Sequence, residues 1–306
     1  MSTKLYGYAF AAILASAALF GGKEAKSNTL ADNANGIRNV YGELPVDQAE
    51  NLSTGEQILK VAGSGAPSAI WETLERGERV ECLDCIPAVE PLLYDANPQT
   101  REISAWWLRR RVFGVFGPGE AYERTVKTLQ NQAEPANRRA HAASALGEFL
   151  VAPGIDACAE AIKTDPAPEV RAAAASALGR LNSDGAGALT VALSDSDSEV
   201  KLAALKSAGR INTLVDVSAI AKLSGDKDAN VRKRAIEVLD TYKAKDTAAA
   251  VAVLAKNDPD SEVRLAACHA LGSFGSAAQR GVLEDLAKND PNSLVRDQAR
   301  IALRRL

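Results

Sequence analysis

Histidine, methionine and the aromatic residues are scarce in this protein: among 306 residues there are two His, one Met and 5% Phe, Trp and Tyr together. Two isolated histidines, His141 and His269, do not make a His-rich metal centre, and each reads as a structural residue of its helix. With so few rings, a core must be packed from Ala and Leu. Positive charge is not in excess either. Thirty-six Lys and Arg face 39 Asp and Glu, for a net charge of -3, which argues against a nucleic-acid binder. The Gly-rich stretch Phe113-Gly-Val-Phe-Gly-Pro-Gly119 lacks the Gly-Lys-Ser/Thr of a phosphate-binding loop. Long apolar runs are absent beyond Leu5–Gly22, so there is no second candidate membrane span.

That one run follows a short segment with a single Lys, Met1 to Lys4, and contains Ala15-Ser16-Ala17, a small-residue cleavage pattern. Residues 1–17 therefore read as a secretory signal peptide, which implies an exported protein, periplasmic or extracellular. An uncleaved anchor is the other reading, and only then would a membrane be involved. Residues 18–66 are mixed polar and read as an arm or linker. Residues 67–84 begin with Pro67-Ser-Ala-Ile-Trp-Glu-Thr-Leu74 and are predicted to form an N-terminal cap helix.

What is abundant is a repeat. Its clearest copy is Asp165-Pro-Ala-Pro-Glu-Val-Arg-Ala-Ala-Ala-Ala-Ser-Ala-Leu-Gly179. Anchored on their basic residue, the copies fall at Arg101, Arg139, Arg171, Lys201, Arg232, Arg264 and Arg296, with spacings of 38, 32, 30, 31, 32 and 32. A fixed period of this length signals stacked supersecondary units. Small or apolar residues recur three, seven and ten positions past the anchor, one face of a helix. In the third copy these are Ala174, Leu178 and Leu181. Six positions before the anchor stands Asp95, Asp165, Asp195, Asp226, Asp258 or Asp290; the Arg139 copy alone has Ala133 there. A carboxylate ahead of a helix accepts its free N–H groups and can pair with the following base. Each copy is therefore expected to pair its own acid and base, and stacking should repeat the pair as a structural ladder. A second helical stretch precedes each acid, for example Gly154 to Lys163 and Thr247 to Ala255.

The Asp-Pro-x-x-x-Val-Arg-x-x-Ala-x-x-Ala-Leu-Gly strings at Asp165 and Asp258 resemble the HEAT-repeat family, and more narrowly its short bacterial phycobilisome-lyase-type form. The resemblance covers residues 85–306. It implies an all-α solenoid of about seven helix-turn-helix repeats, and it says little about function, because the family is defined by packing. Some proteins of this architecture are enzymes. The iron-binding deoxyhypusine hydroxylases use His-Glu pairs, but His141 and His269 both precede Ala. The bilin-lyase branch shares the repeat string, yet no bilin-contacting residue can be matched, so a tetrapyrrole lyase reading rests on analogy alone.

Two features break the pattern. Cys82-Leu-Asp-Cys85 stands directly before the first repeat. In an exported protein it reads as a disulfide stapling the cap, with an entropic contribution of about 2 kcal/mol. A redox pair or a metal site is the alternative; c-type haem is excluded because Ile86 holds the His position. Cys158 and Cys268 fall in apolar columns and read as buried. The second feature is Trp106-Trp107-Leu108-Arg109-Arg110-Arg111, where large groups replace small or apolar ones. Either the cap covers these rings, or Trp106, Arg109, Arg110 and Arg111 form a binding hot spot. Polar Asp297, Gln298 and Arg300 in the last copy suit a solenoid end and predict a monomer. Taken together the residues point to an exported, non-enzymatic scaffold that needs no cofactor and binds another protein along one long face.

Overall fold

The computed structural model describes residues 38–39, 52–114, 117–150, 154–181, 185–211, 215–275 and 277–306. The signal-peptide segment lies outside them. Among the described residues no helix is long and apolar enough to cross a membrane.

Among the described residues the helices run in sequence from α1 (Gly55–Ser64) and α2 (Pro67–Arg76) through seven further helix pairs. These are α3 (Ile86–Val89) with α4 (Pro98–Leu108), α5 (Glu120–Gln130) with α6 (Ala136–Phe149), and α7 (Gly154–Thr164) with α8 (Pro168–Leu181). After them come α9 (Ala186–Ala192) with α10 (Ser198–Ala208), α11 (Val217–Lys222) with α12 (Ala229–Thr241), α13 (Ala248–Asn257) with α14 (Ser261–Phe274), and α15 (Arg280–Asn289) with α16 (Ser293–Leu303). Each unit packs on the next, so one apolar core runs from Ile58 to Ala302. Two small antiparallel ladders accompany the helices: β1 (Arg38–Asn39) with β2 (Val80–Glu81), and β3 (Phe113–Gly114) with β4 (Gly117–Pro118).

The columns read from sequence are the core. Ala142, Ala174, Ala204, Ala235, Ala267 and Ala299, three past each anchor, have no exposed surface. So do Val170, Val200, Val231, Val263 and Val295, one before it. The closest helix contact involves another pair of columns. The glycine eight past the anchor meets the small residue six past the next anchor. A Cβ on Gly147 would lie 2.8 Å from the Ala177 Cα, one on Gly179 2.9 Å from the Ser207 Cα, and one on Gly272 2.7 Å from the Ala302 Cα. The Ala-Leu-Gly ending of the repeat is thus a contact of glycine on the next helix.

Two boundaries differ from the sequence reading. The arm drawn over 18–66 contains α1, so the N-terminal cap is a helix pair rather than one helix. The missed signal is a capping box: Thr54 Oγ1 accepts the Gln57 N–H at 3.1 Å while Gln57 Oε1 accepts that of Thr54 at 2.7 Å. Ile58 of α1 is fully buried. The first repeat's leading helix is α-helical only over Ile86–Val89 and tightens to 3-10 over Glu90–Tyr94. Pro91 has no N–H to give an α-helical ladder.

Gly272→Ala should cost about 1–3 kcal/mol by overpacking against backbone. Gly209→Ala, where the nearest atom is the Arg234 Nη2 at 3.7 Å, should leave the thermal midpoint unchanged or slightly raised. Paired melting curves would check this.

A ladder between units and the cleft beside its break

The turn joining the two helices of a unit is built by the repeated Asp. It ends the first helix and its Oδ1 accepts the N–H two residues on, at 2.9 Å from Ala167, Asp197, Asp228 and Asp260 to Asp165, Asp195, Asp226 and Asp258. Asp290 accepts from Asn292 at 2.8 Å. The residue two past the acid then caps the second helix itself at Asn97, Asp197, Asp228, Asp260 and Asn292.

The basic anchor does not pair with its own unit's carboxylate. Its Nη1 donates to that unit's backbone carbonyls, as in Arg171 to Asp165 at 2.9 Å and Pro166 at 3.0 Å. Its Nε and Nη2 reach the acid of the following unit. Arg139 binds Asp165 at 2.8 and 2.8 Å, Arg171 binds Asp195 at 2.7 and 3.0 Å. Arg232 binds Asp258 at 2.7 and 2.7 Å, and Arg264 binds Asp290 at 2.8 and 3.0 Å. The expected pairing within a unit is therefore corrected to a pairing between units. The physical reason is reach. The guanidinium sits over the turn, its near edge is taken by two carbonyls, and only its far edge remains for a carboxylate. Asp165, Asp258 and Asp290 are 3%, 6% and 5% exposed. Burial pushes each of these carboxyls up, but hydrogen bonds from the paired Arg and from the turn N–H outweigh it, and all three sit below the usual carboxylate range.

Three rungs depart from this pattern. Lys201 reaches Asp226 with one ammonium, a point charge in place of a fork. Arg296 donates to Asp290 and Pro291 carbonyls at 2.7 and 3.1 Å, and no carboxylate of a further unit pairs with it among the described residues. Arg101 is anchored in the same way, to Asp95 at 2.6 Å and Ala96 at 2.9 Å, but no carboxylate pairs with it among the described residues. The next turn is two residues longer, and the residue ending α5 is Asn131 rather than Ala133. Asn131 Oδ1 accepts the Ala133 N–H at 3.1 Å, taking the turn role of the Asp without its charge. His141 lies near this break. Burial, then the charges of Arg101 and Arg138, hold its imidazole below its ordinary range.

A cleft of about 240 Å³ opens along the second helices α4, α6 and α8. Its floor is small, Ala145, Ser144, Ala173 and Ser176 among them, and its sides carry Arg101, Glu102, His141, Glu148 and Arg180. Glu148 and Arg180 form an ion pair across it. Ser144 and Ser176 belong to the column five past the anchor, which continues as Lys206, Glu237 and His269. That column is open to solvent or half-buried throughout, as its polar composition implies. His269 Nδ1 lies 2.9 Å from Asp240 Oδ2.

Toward the N-terminal cap the Trp-Arg stretch is divided. Trp107 is fully buried, and its Nε1 donates to the Gly77 carbonyl at 3.0 Å. Arg111 lies 3.7 Å from the Trp107 ring and donates to the carbonyls of Gly77, Glu78 and Val80 at 3.1, 2.9 and 2.7 Å. Burial lowers its guanidinium to about 10. Arg111 is thereby turned into the joint with the cap. Trp106 and Arg109 stay half-buried, and Arg110 is exposed, 3.1 Å from Glu78. Cys82 and Cys85 sit beneath the cap with their sulfurs 2.07 Å apart and are 7% and 0% exposed. Cys158 and Cys268 are buried, and burial pushes both thiols up to about 12.

Comparison with known proteins agrees with this architecture. Residues 155–226 and 217–304 match the family model of HEAT repeats. No curated protein matches the sequence. Among solved structures, Escherichia coli YibA superposes with a TM-score of 0.56 at 18% identity, over 85% of this protein and 95% of that one. Kap95p, in a structure of its binding to RanGDP, gives 0.58 at 15% identity, over 81% of this protein and 38% of that one. The CpcE–CpcF phycocyanin lyase of Nostoc gives 0.41 at 18% identity, over 72% of this protein and 94% of that one. At these identities the likeness is one of fold.

Asp258→Asn would leave the Arg232 fork buried without its counter-charge, at a cost of about 3–5 kcal/mol. A drop in thermal midpoint well beyond that of an exposed control such as Asp246→Asn should follow. The ladder acids are depressed in the folded protein, so their contribution is intact above pH ~4 and is lost as pH falls below it. Helical ellipticity should therefore hold from neutrality to about that pH and fall below it.

Proposed function

HEAT repeats occupy residues 155–304 of this protein, and from that premise we propose that it is an exported scaffold which binds another protein along its second-helix face. The observation that carries the reading is the cleft across α4, α6 and α8. It is open along three successive units, floored by Ala and Ser, and flanked by charges of both signs. Such a surface offers shape and dispersed polar contacts over several repeats, which is how solenoids present long binding faces. Trp106, Arg109 and Arg110 extend the face toward the cap, while Arg111 holds the joint behind them. Export rests on the first 17 residues. No cofactor enters this reading.

Cys82 and Cys85 fit a structural staple in this reading. Their burial under α1 and α2 puts both sulfurs out of reach of a large redox partner. The tetrapyrrole-lyase reading has no residue of this protein to support it.

A photo-crosslinking residue at Ser144 or Ser176 should capture one discrete protein partner in the cell envelope. The same group at Val253, exposed on the first-helix row, should not. Equal capture from both rows would overturn the assignment of the face. Intact mass of the exported protein should show Cys82 and Cys85 protected from alkylation until reductant is added. Ready alkylation without reductant would remove the staple and revive a thiol-based function.

A further inference from the structure

We propose that the Arg101 rung is a binding site for a carboxylate supplied by the partner. This deepens the scaffold reading and rests on it. The other four arginine rungs define what the site takes. In each, Nη1 is fixed by the carbonyls of its own turn, and Nε with Nη2 grips both oxygens of one carboxylate. Arg101 is fixed by the same two carbonyls, of Asp95 and Ala96, at 2.6 and 2.9 Å. A planar guanidinium held at that edge turns Nε and Nη2 toward the following unit. There the ladder carboxylate is replaced by the Asn131 amide. An amide has one acceptor oxygen and no charge, so it cannot offer the fork the two anionic oxygens that each ladder Asp gives, and in Asn131 that oxygen is held by the Ala133 N–H. Among the described residues nothing accepts from the Arg101 Nε or Nη2.

The site is reachable. Arg101 is half-buried and lines the cleft, so its side chain borders the proposed binding surface. The surrounding charges leave it available. Glu148 is held by Arg180, and Glu134 by Arg138, whose guanidinium lies 3.9 Å over the Tyr94 ring. Glu102 is the remaining acid of the cleft. It adjoins Arg101 in sequence, and adjacent helical side chains do not face one another. His141 lines the same cleft, and its imidazole can offer one ring N–H. The fitting ligand is a single carboxylate with two free oxygens, from an Asp or Glu residue or from the C-terminus of a polypeptide.

Two peptide probes separate these sources: an acetylated and amidated Gly-Asp-Gly, and an acetylated Gly-Gly-Gly with a free carboxylate. The readout is the Arg101 Nε–H resonance in the full-length protein, assigned by its loss in Arg101→Gln. A saturating shift with the first probe assigns an Asp or Glu carboxylate, and with the second alone a C-terminus. Asn131→Asp should complete the rung from within, raise the thermal midpoint, and weaken the responding probe about tenfold, the loss of one charge-assisted pair. Should Asn131→Asp not fold, Arg101→Gln should abolish partner crosslinking from Ser144 with its melting curve little changed. A resonance unmoved by both probes, or probe binding unaffected by Asn131→Asp, overturns the proposal. If crosslinking from Ser144 persists in that case, only the carboxylate site fails; if it too is absent, the scaffold reading falls with it.

Discussion

The regular stacking of this fold depends on a guanidinium shared between two units, as at Arg139, Arg171, Arg232 and Arg264. Its near edge closes the turn of its own repeat, and its far edge holds the acid that ends the next repeat's first helix. A local contact and a contact 24–26 residues away are thus made by the same planar group. Neither half would be worth much alone. A turn carbonyl can be satisfied by water, and a lone buried carboxylate would be costly. Made together, they tie the angle of one helix pair to the position of the next. That is why the same residues recur from unit to unit.

The helices reach that geometry because their contacts are small. Alanine three past the anchor and glycine eight past it bring second helices close enough for a fork to span the joint. Where glycine is lost the device changes. Asp240 stands in place of the glycine in the fifth unit and accepts from His269 across the joint. Between the fourth and fifth units a lysine replaces the fork, and Tyr242 adds a bond to the Ala208 carbonyl at 2.8 Å.

The repeat was legible from sequence because it is periodic, and so were the core columns, the buried lone cysteines and the solvent-facing column of the cleft. The direction of ladder pairing was not. A spacing of six places acid and base within reach along the backbone, and nothing in that spacing reveals that turn carbonyls occupy the near edge of the arginine. Asn131 was hidden for a related reason. Counting back six residues lands on Ala133, because the turn there is two residues longer. The cleft itself could not be read from any one copy. It is formed by residues at matching positions of three copies, each ordinary by itself. Arg111 stood out by charge, yet its burial follows from the loop Gly77–Val80, which has no counterpart in the repeat.

The break at Arg101 has a mechanical consequence. A solenoid's stability is close to a sum over joints, and the joint between the first and second units lacks the buried fork of its neighbours. In its place Arg124 grips Glu90 at 2.8 and 2.6 Å between the first helices of those units. That fork is bidentate like the others, but Arg124 is 47% exposed and bonds Glu120 as well. Exposed pairs contribute about 0–1 kcal/mol, less than breaking a buried one costs. The first repeat is held instead from its other side, by Trp107 and Arg111 locked into the cap. The solenoid thus divides at the cleft: a cap and first unit packed as one block, and a fork-linked array after it. A carboxylate seated on Arg101 would lie at that division, so the surface proposed to bind a partner is also the joint that a bound carboxylate would tighten.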